Sequence, residues 1–213
     1  LFMSSPVLSV SGETLLLVFS IVGPAVFAAS GDLIAAQLRQ TLVTFAFFAL
    51  VTGVGGGTVR DLLMGAPVFW VHEPPFAMVC MGAALFVWIT PARWWRPRAL
   101  DWLDAIGLAA FAVLGTAKAM GHGIEPAIAV LMGIVTACAG GIIRDVLAGQ
   151  PSILLRPEIY VTAAALSAGL YPLLLMGGVT PLMAGPVAAV AGFALRALAM
   201  VKGLGLPTYS RWG

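Results

Sequence analysis

Two short stretches of this chain hold the residue types that could do chemistry. "VTGVGGGTVRDLLMGAP" starts at Val51 and "VTACAGGIIRDVLAGQP" starts at Val135. Each places an arginine and an aspartate, Arg60–Asp61 and Arg144–Asp145, just after a glycine-rich run: Gly55, Gly56, Gly57 in the first and Ala139, Gly140, Gly141 in the second. Both lie inside otherwise apolar runs. Charges at such depth usually face an interior or a water-filled cavity and mark an ion pathway. Glycines there either break the helix, freeing backbone carbonyls that could replace part of a cation's water shell, or let two helices approach closely, as in Gly53-x-x-x-Gly57. Adjacent helical residues point about 100° apart, so each Arg–Asp pair is not expected to form one bridge on one face.

The surrounding elements are those of a membrane protein. Of 213 residues, 61% are hydrophobic and 9% charged, against about a quarter charged in soluble domains. A net charge of +2 without a basic run excludes a nucleic-acid partner. Cys80 and Cys138 lie in apolar runs and read as buried free thiols. Met3 reads as the initiator, and no cleavable signal is evident. The fold class is all-α membrane protein. Seven runs are long enough to span, from about Thr14–Leu33, Gln40–Gly65, Phe76–Thr90, Trp102–Met120, Pro126–Gly149, Glu158–Gly177 and Pro181–Val201. The glycines fall about 16 residues into the second span, about 24 Å along it and near mid-bilayer.

Short-loop basic residues set the orientation. Arg39, Arg93, Arg96, Arg98, Arg156, Lys202 and Arg211 share one side, and Glu13, Glu73 and Glu125 the other. The N-terminus is therefore expected outside and the C-terminus in the cytoplasm, with Trp94, Trp95 and Trp102 as an inner aromatic anchor.

A shift of 84 residues overlays the chain on itself without a gap. "GPAVFAASGDLIA" from Gly23 meets "GLAAFAVLGTAKA" from Gly107, and the two glycine stretches meet each other. Each unit has three spans, so the second enters from the opposite side, giving an inverted repeat. The expected division is 13–92 for the first repeat, 93–178 for the second, 179–203 for a seventh helix and 204–213 for a tail. In such folds the functional path lies between repeats, on discontinuous helices. Inversion places the two Arg–Asp pairs on opposite sides of the midplane, one vestibule each. Lys118 stands where repeat one has Ile34 and breaks the symmetry; it either serves the path or snorkels to the interface. Arg196, in the seventh span, either reaches inner headgroups or pairs with a carboxylate such as Asp104.

The duplicated "GGGTVRDLLMGAP" and "AGGIIRDVLAGQP", the "GPAVFA" and "GLAAFA" segments and the seven spans resemble the trimeric intracellular cation channel family, in its bacterial branch. The resemblance covers nearly the whole chain. It implies a homotrimer with one path for potassium or sodium inside each protomer, lined by the second and fifth helices kinked at Gly55, Gly56, Gly57 and at Ala139, Gly140, Gly141. Ala139 departs from a full glycine triplet, and the family's phosphoinositide-binding motif is not evident around Lys118. The expected location is the bacterial inner membrane. Permeant ions aside, no cofactor is implied.

Other classes fare less well. A secondary transporter of a small solute such as glycine shares inverted repeats and broken helices. An enzyme lacks support: His72 and His122 stand alone with no metal-ligand spacing, and "GVGGG" lacks the Lys-Ser/Thr of a nucleotide loop. A purely structural membrane protein leaves the buried charges unexplained.

Overall fold

The computed structural model describes residues 6–95 and 98–207, with backbone alone for 6–20. Leu1, Phe2, Met3, Arg96 and Arg211 lie outside the described residues. The described chain is helical: α1 Pro6–Gln37, α2 Leu42–Leu63, α3 Phe69–His72, α4 Pro74–Ile89, α5 Ala99–Gly121, α6 Pro126–Leu147, α7 Val161–Met176 and α8 Pro181–Lys202. Single 3-10 turns at Ala92–Trp94 and Ile153–Leu155 join them.

Four of these, α2, α5, α6 and α8, are long and apolar enough to cross a bilayer unaided. The apolar segments Ile21–Gln37, Pro74–Ile89 and Val161–Met176 are shorter. This is an all-helical membrane protein. The helix starts follow local chemistry. Thr41 accepts the Thr44 backbone N–H at the head of α2, and prolines open α4, α6 and α8, where the missing N–H is no loss.

The spans numbered second and fifth in the sequence are α2 and α6, and they end alike. Gly65 and Gly149 each adopt φ 65°. Gly65 and Ala66 donate back to Leu62 and Asp61, and Gly149 and Gln150 to Val146 and Asp145. Such caps occupy orphan carbonyls at a helix end and turn the chain sharply.

Of the two roles the sequence leaves open for the glycines, the structure shows the close approach, with α2 and α6 helical throughout Gly55–Gly57 and Ala139–Gly141. A Cβ on Gly56 would collide with the Thr136 carbonyl, and one on Gly140 would lie 2.7 Å from the Thr52 carbonyl. The two helices cross where neither carries a side chain. Thr52 and Thr136 are themselves repeat equivalents, so the contact is reciprocal, as at a two-fold axis. Phe27 and Phe111, also equivalents, meet with ring centroids 5.2 Å apart. Gly107 takes the Phe27 ring and Gly23 the Phe111 ring. Cys80 and Cys138 are free and buried, as expected.

Candidate ion-path site

The two Arg–Asp pairs occupy equivalent places in the last turns of α2 and α6 and are all buried. Arg60 donates from Nε (2.9 Å) and approaches with Nη2 (2.8 Å) the same Asp61 Oδ1. Arg144 does the same to Asp145 at the same distances. Each adjacent pair therefore does form a bridge, against the sequence expectation. The arginine stem is long enough to fold back around the helix, and the low-dielectric surroundings reward the contact. The second carboxylate oxygen of each aspartate accepts a backbone N–H eight residues on: Phe69 for Asp61 and Ile153 for Asp145, both at 2.9 Å. These are the first residues of α3 and of the second 3-10 turn. Each aspartate thus pins the returning chain as well as its arginine, and charge-assisted bonds of this kind are strong.

The equivalence ends at the third partner. In the first cluster Lys118 of α5 brings Nζ to 3.0 Å from Asp61 Oδ1 and 3.1 Å from Oδ2. In the second, Asp104 of α5 accepts from Arg144 Nη1 at 2.6 Å, and the same nitrogen donates to Ser30 Oγ of α1 at 3.0 Å. One cluster holds two cations and one anion, the other one cation and two anions. Lys118 and Arg60 both flank the Phe69 ring, at 5.5 and 5.8 Å from its centroid. The Lys118 side chain is 29% exposed, and it lines a cavity of about 280 Å³ with Arg60, Phe69, Glu73 and Phe76. A second cavity of about 240 Å³ is lined by Arg144, Asp145, Asp101, Gln150 and Arg156. Arg60 with Lys118 thus borders one cavity and Arg144 with Asp145 the other, and the α2–α6 crossing is built by the helices of the two pairs.

The glycines divide by neighbour. Gly56 and Gly140 make the crossing. Gly55 faces only Ile143 and Gly140, Gly57 faces the Phe69 ring, and Gly141 faces Tyr160 Oη and Asp104. Ala139 is half-buried, in an unbroken turn. Arg196 is neither lipid-facing nor paired with Asp104. It is 2% exposed and binds Glu158 at 2.6 Å, over the Tyr160 ring. Asp104 is unavailable because Arg144 holds it.

Sequence reasoning missed Asp104 and Ser30 as partners of Arg144. The signal for Asp104 was present: an acid carried into an apolar span must find a cation. For Ser30, a hydroxyl flanked by small residues, there was none.

Comparison with known proteins follows the same pattern. The family model described as "Glycine transporter" matches residues 17–92 and again 101–176. The UPF0126 inner membrane protein YadS of Escherichia coli K12 is 46% identical over 149 residues, which are 67% of this chain and 70% of that one. A UPF0126 membrane protein of Vibrio cholerae is 41% identical over 156 residues, 70% of this chain and 64% of its own length. The TRIC trimeric intracellular cation channel orthologue from Rhodobacter sphaeroides superposes with a TM-score of 0.82 at 41% identity, over 90% of this chain and all of that one. A prokaryotic TRIC channel crystallised in 0.5 M KCl gives 0.83 at 28% identity, over 91% and 100%.

Proposed function

The chain belongs to the trimeric intracellular cation channel family, in its bacterial branch, and from that membership we propose that it conducts monovalent cations, potassium and sodium, across the bacterial inner membrane. The path runs inside each protomer of a homotrimer, between two inverted three-helix repeats, with α8 as the seventh span. It passes the α2–α6 crossing, where the glycines allow the helices to bend without breaking. Arg39, Arg93, Arg98, Arg156 and Lys202 face the cytoplasm, with the C-terminus, and Glu73 and Glu125 face outward.

The observation that carries this reading is the pair of buried charge clusters flanking the crossing, each against its own cavity. Buried charges cost desolvation free energy that packing alone does not require. Asp61 and Asp145 each offset their arginine at 2.8 Å, which leaves the charge of Lys118 uncompensated in the first cluster.

Lys118 is the charge best placed to obstruct. It is the most exposed of the clustered cations, on a flexible stem, and Asp61 keeps Arg60 when it leaves. Lys118→Ala is expected to raise single-channel conductance or open probability. If both are unchanged, Lys118 has no part in the path.

The first measurement is single-channel current from the purified protein in a planar bilayer under a potassium chloride gradient. Discrete openings reversing near the potassium potential are the expected result. Silence over many fusions would favour the second reading, a transporter of a small solute, for which the name of the family model speaks; uptake of radiolabelled glycine would then test that.

A further inference from the structure

Asp32 lies near the end of α1 and is wholly buried, yet neither carboxylate oxygen has a hydrogen-bond partner. Among the described residues no Lys, Arg or His lies within ion-pair distance of it. Its chain neighbours Leu33, Ile34 and Ala35 belong to an apolar cluster with Phe48 of α2 and Cys80 of α4. The seam between these helices is tight. A Cβ on Gly31 would lie 2.7 Å from the Phe48 carbonyl, and one on Gly53 would lie 2.6 Å from Cys80 Sγ.

The buried cations of the neighbouring helices are bound elsewhere; of the other charged groups there, Asp101 of α5 is an acid and Lys202 of α8 is exposed. Cys80 is the titratable group that α4 brings near. On α2, Arg60 and Asp61 hold each other. On α5, Lys118 is bound to Asp61 and Asp104 to Arg144, which with Asp145 completes the α6 set. On α8, Arg196 is bound to Glu158. An isolated carboxylate removed from water without a partner is so costly that the group takes up a proton instead.

The internal repeat shows what a neutral group can do there. The residue equivalent to Asp32 is Thr116, also fully buried, whose hydroxyl donates to the Ala112 carbonyl one turn back at 2.9 Å. A carboxylic acid has the same O–H donor; a carboxylate has none. We propose that Asp32 is a proton-binding site, a neutral carboxylic acid at neutral pH that puts an O–H donor where the second repeat has the Thr116 hydroxyl. Its proton keeps the α1–α2–α4 seam closed, and its loss opens that seam beside Cys80. The inference stands whether or not the chain conducts.

Infrared spectra of the full chain in lipid decide it. At neutral pH the wild type should show the carbonyl band of a protonated carboxylic acid, shifted in heavy water and missing from Asp32→Asn. Asp32→Glu should move the band without deleting it, and serves if Asp32→Asn does not fold. A wild-type spectrum without the band, or a band that neither substitution alters, would overturn the proposal. In a Cys138→Ala background at alkaline pH, maleimide should label Cys80 faster when Asp32 is present than in Asp32→Asn. Equal rates would remove the link to the seam.

Discussion

Replacing Arg144 with alanine is expected to cost about 3–5 kcal/mol of stability, the range for removing one partner of a buried ion pair. Asp104 and Asp145 would both remain buried, and Asp104 would lose the one hydrogen-bonded partner that the structure gives it. The repeat-equivalent change, Arg60→Ala, should cost only a fraction of that. Asp61 would still hold Lys118 at 3.0 Å and the Phe69 N–H at 2.9 Å. Two residues that the repeat makes identical are thus predicted to be very unequal. Thermal unfolding of the two variants in detergent, followed with retention on a sizing column, measures the gap. Equal losses would mean that the third partners, Lys118 and Asp104, carry no weight.

The second large effect concerns the crossing. Gly56→Ala should destabilise the protein by about 1–3 kcal/mol, as overpacking does, because its methyl group meets the Thr136 carbonyl of a facing helix backbone. Backbone cannot rotate aside as a side chain can. Gly55→Ala, one residue earlier, should be tolerated or mildly stabilising. Its methyl group would lie 3.4 Å from Ile143 Cδ1, a movable atom, and alanine restricts the unfolded chain by about 0.4–1 kcal/mol. Read as helix breaks, the glycines would serve conduction and leave assembly untouched on substitution. Read as a crossing, Gly56 and Gly140 serve assembly and conduction together. Comparing melting temperature with current for Gly55→Ala and Gly56→Ala separates the two. An intact melting temperature with lost current in Gly56→Ala would restore the break.

The paired helices and their charged ends were legible because they are written twice. An arginine and an aspartate at the same offset from a glycine run, 84 residues apart, need no structure to be recognised as equivalent. The use of the glycines was not legible, since the same residue permits a break and a close approach. A clue lay in the paired Val–Thr before each run: Thr52 and Thr136 supply the carbonyls that the opposite glycines receive. The Arg–Asp bridges were misjudged because Cβ directions were weighed and the reach of the arginine stem was not. Arg196 does pair with a carboxylate, but not with the one the sequence suggested. Its partner, Glu158, sits in the segment between α6 and α7, and helical periodicity says nothing about where such a segment lies.

The unbroken course of α2 and α6 bears on how an ion would be sorted. Both helices keep helical backbone through the glycine runs, and carbonyls in such backbone serve the helix's own ladder, not the hydration shell of a passing ion. A cation on the proposed path would travel with much of its water. Discrimination would then rest on charge sign and not on ionic radius, and sodium and potassium would pass on similar terms.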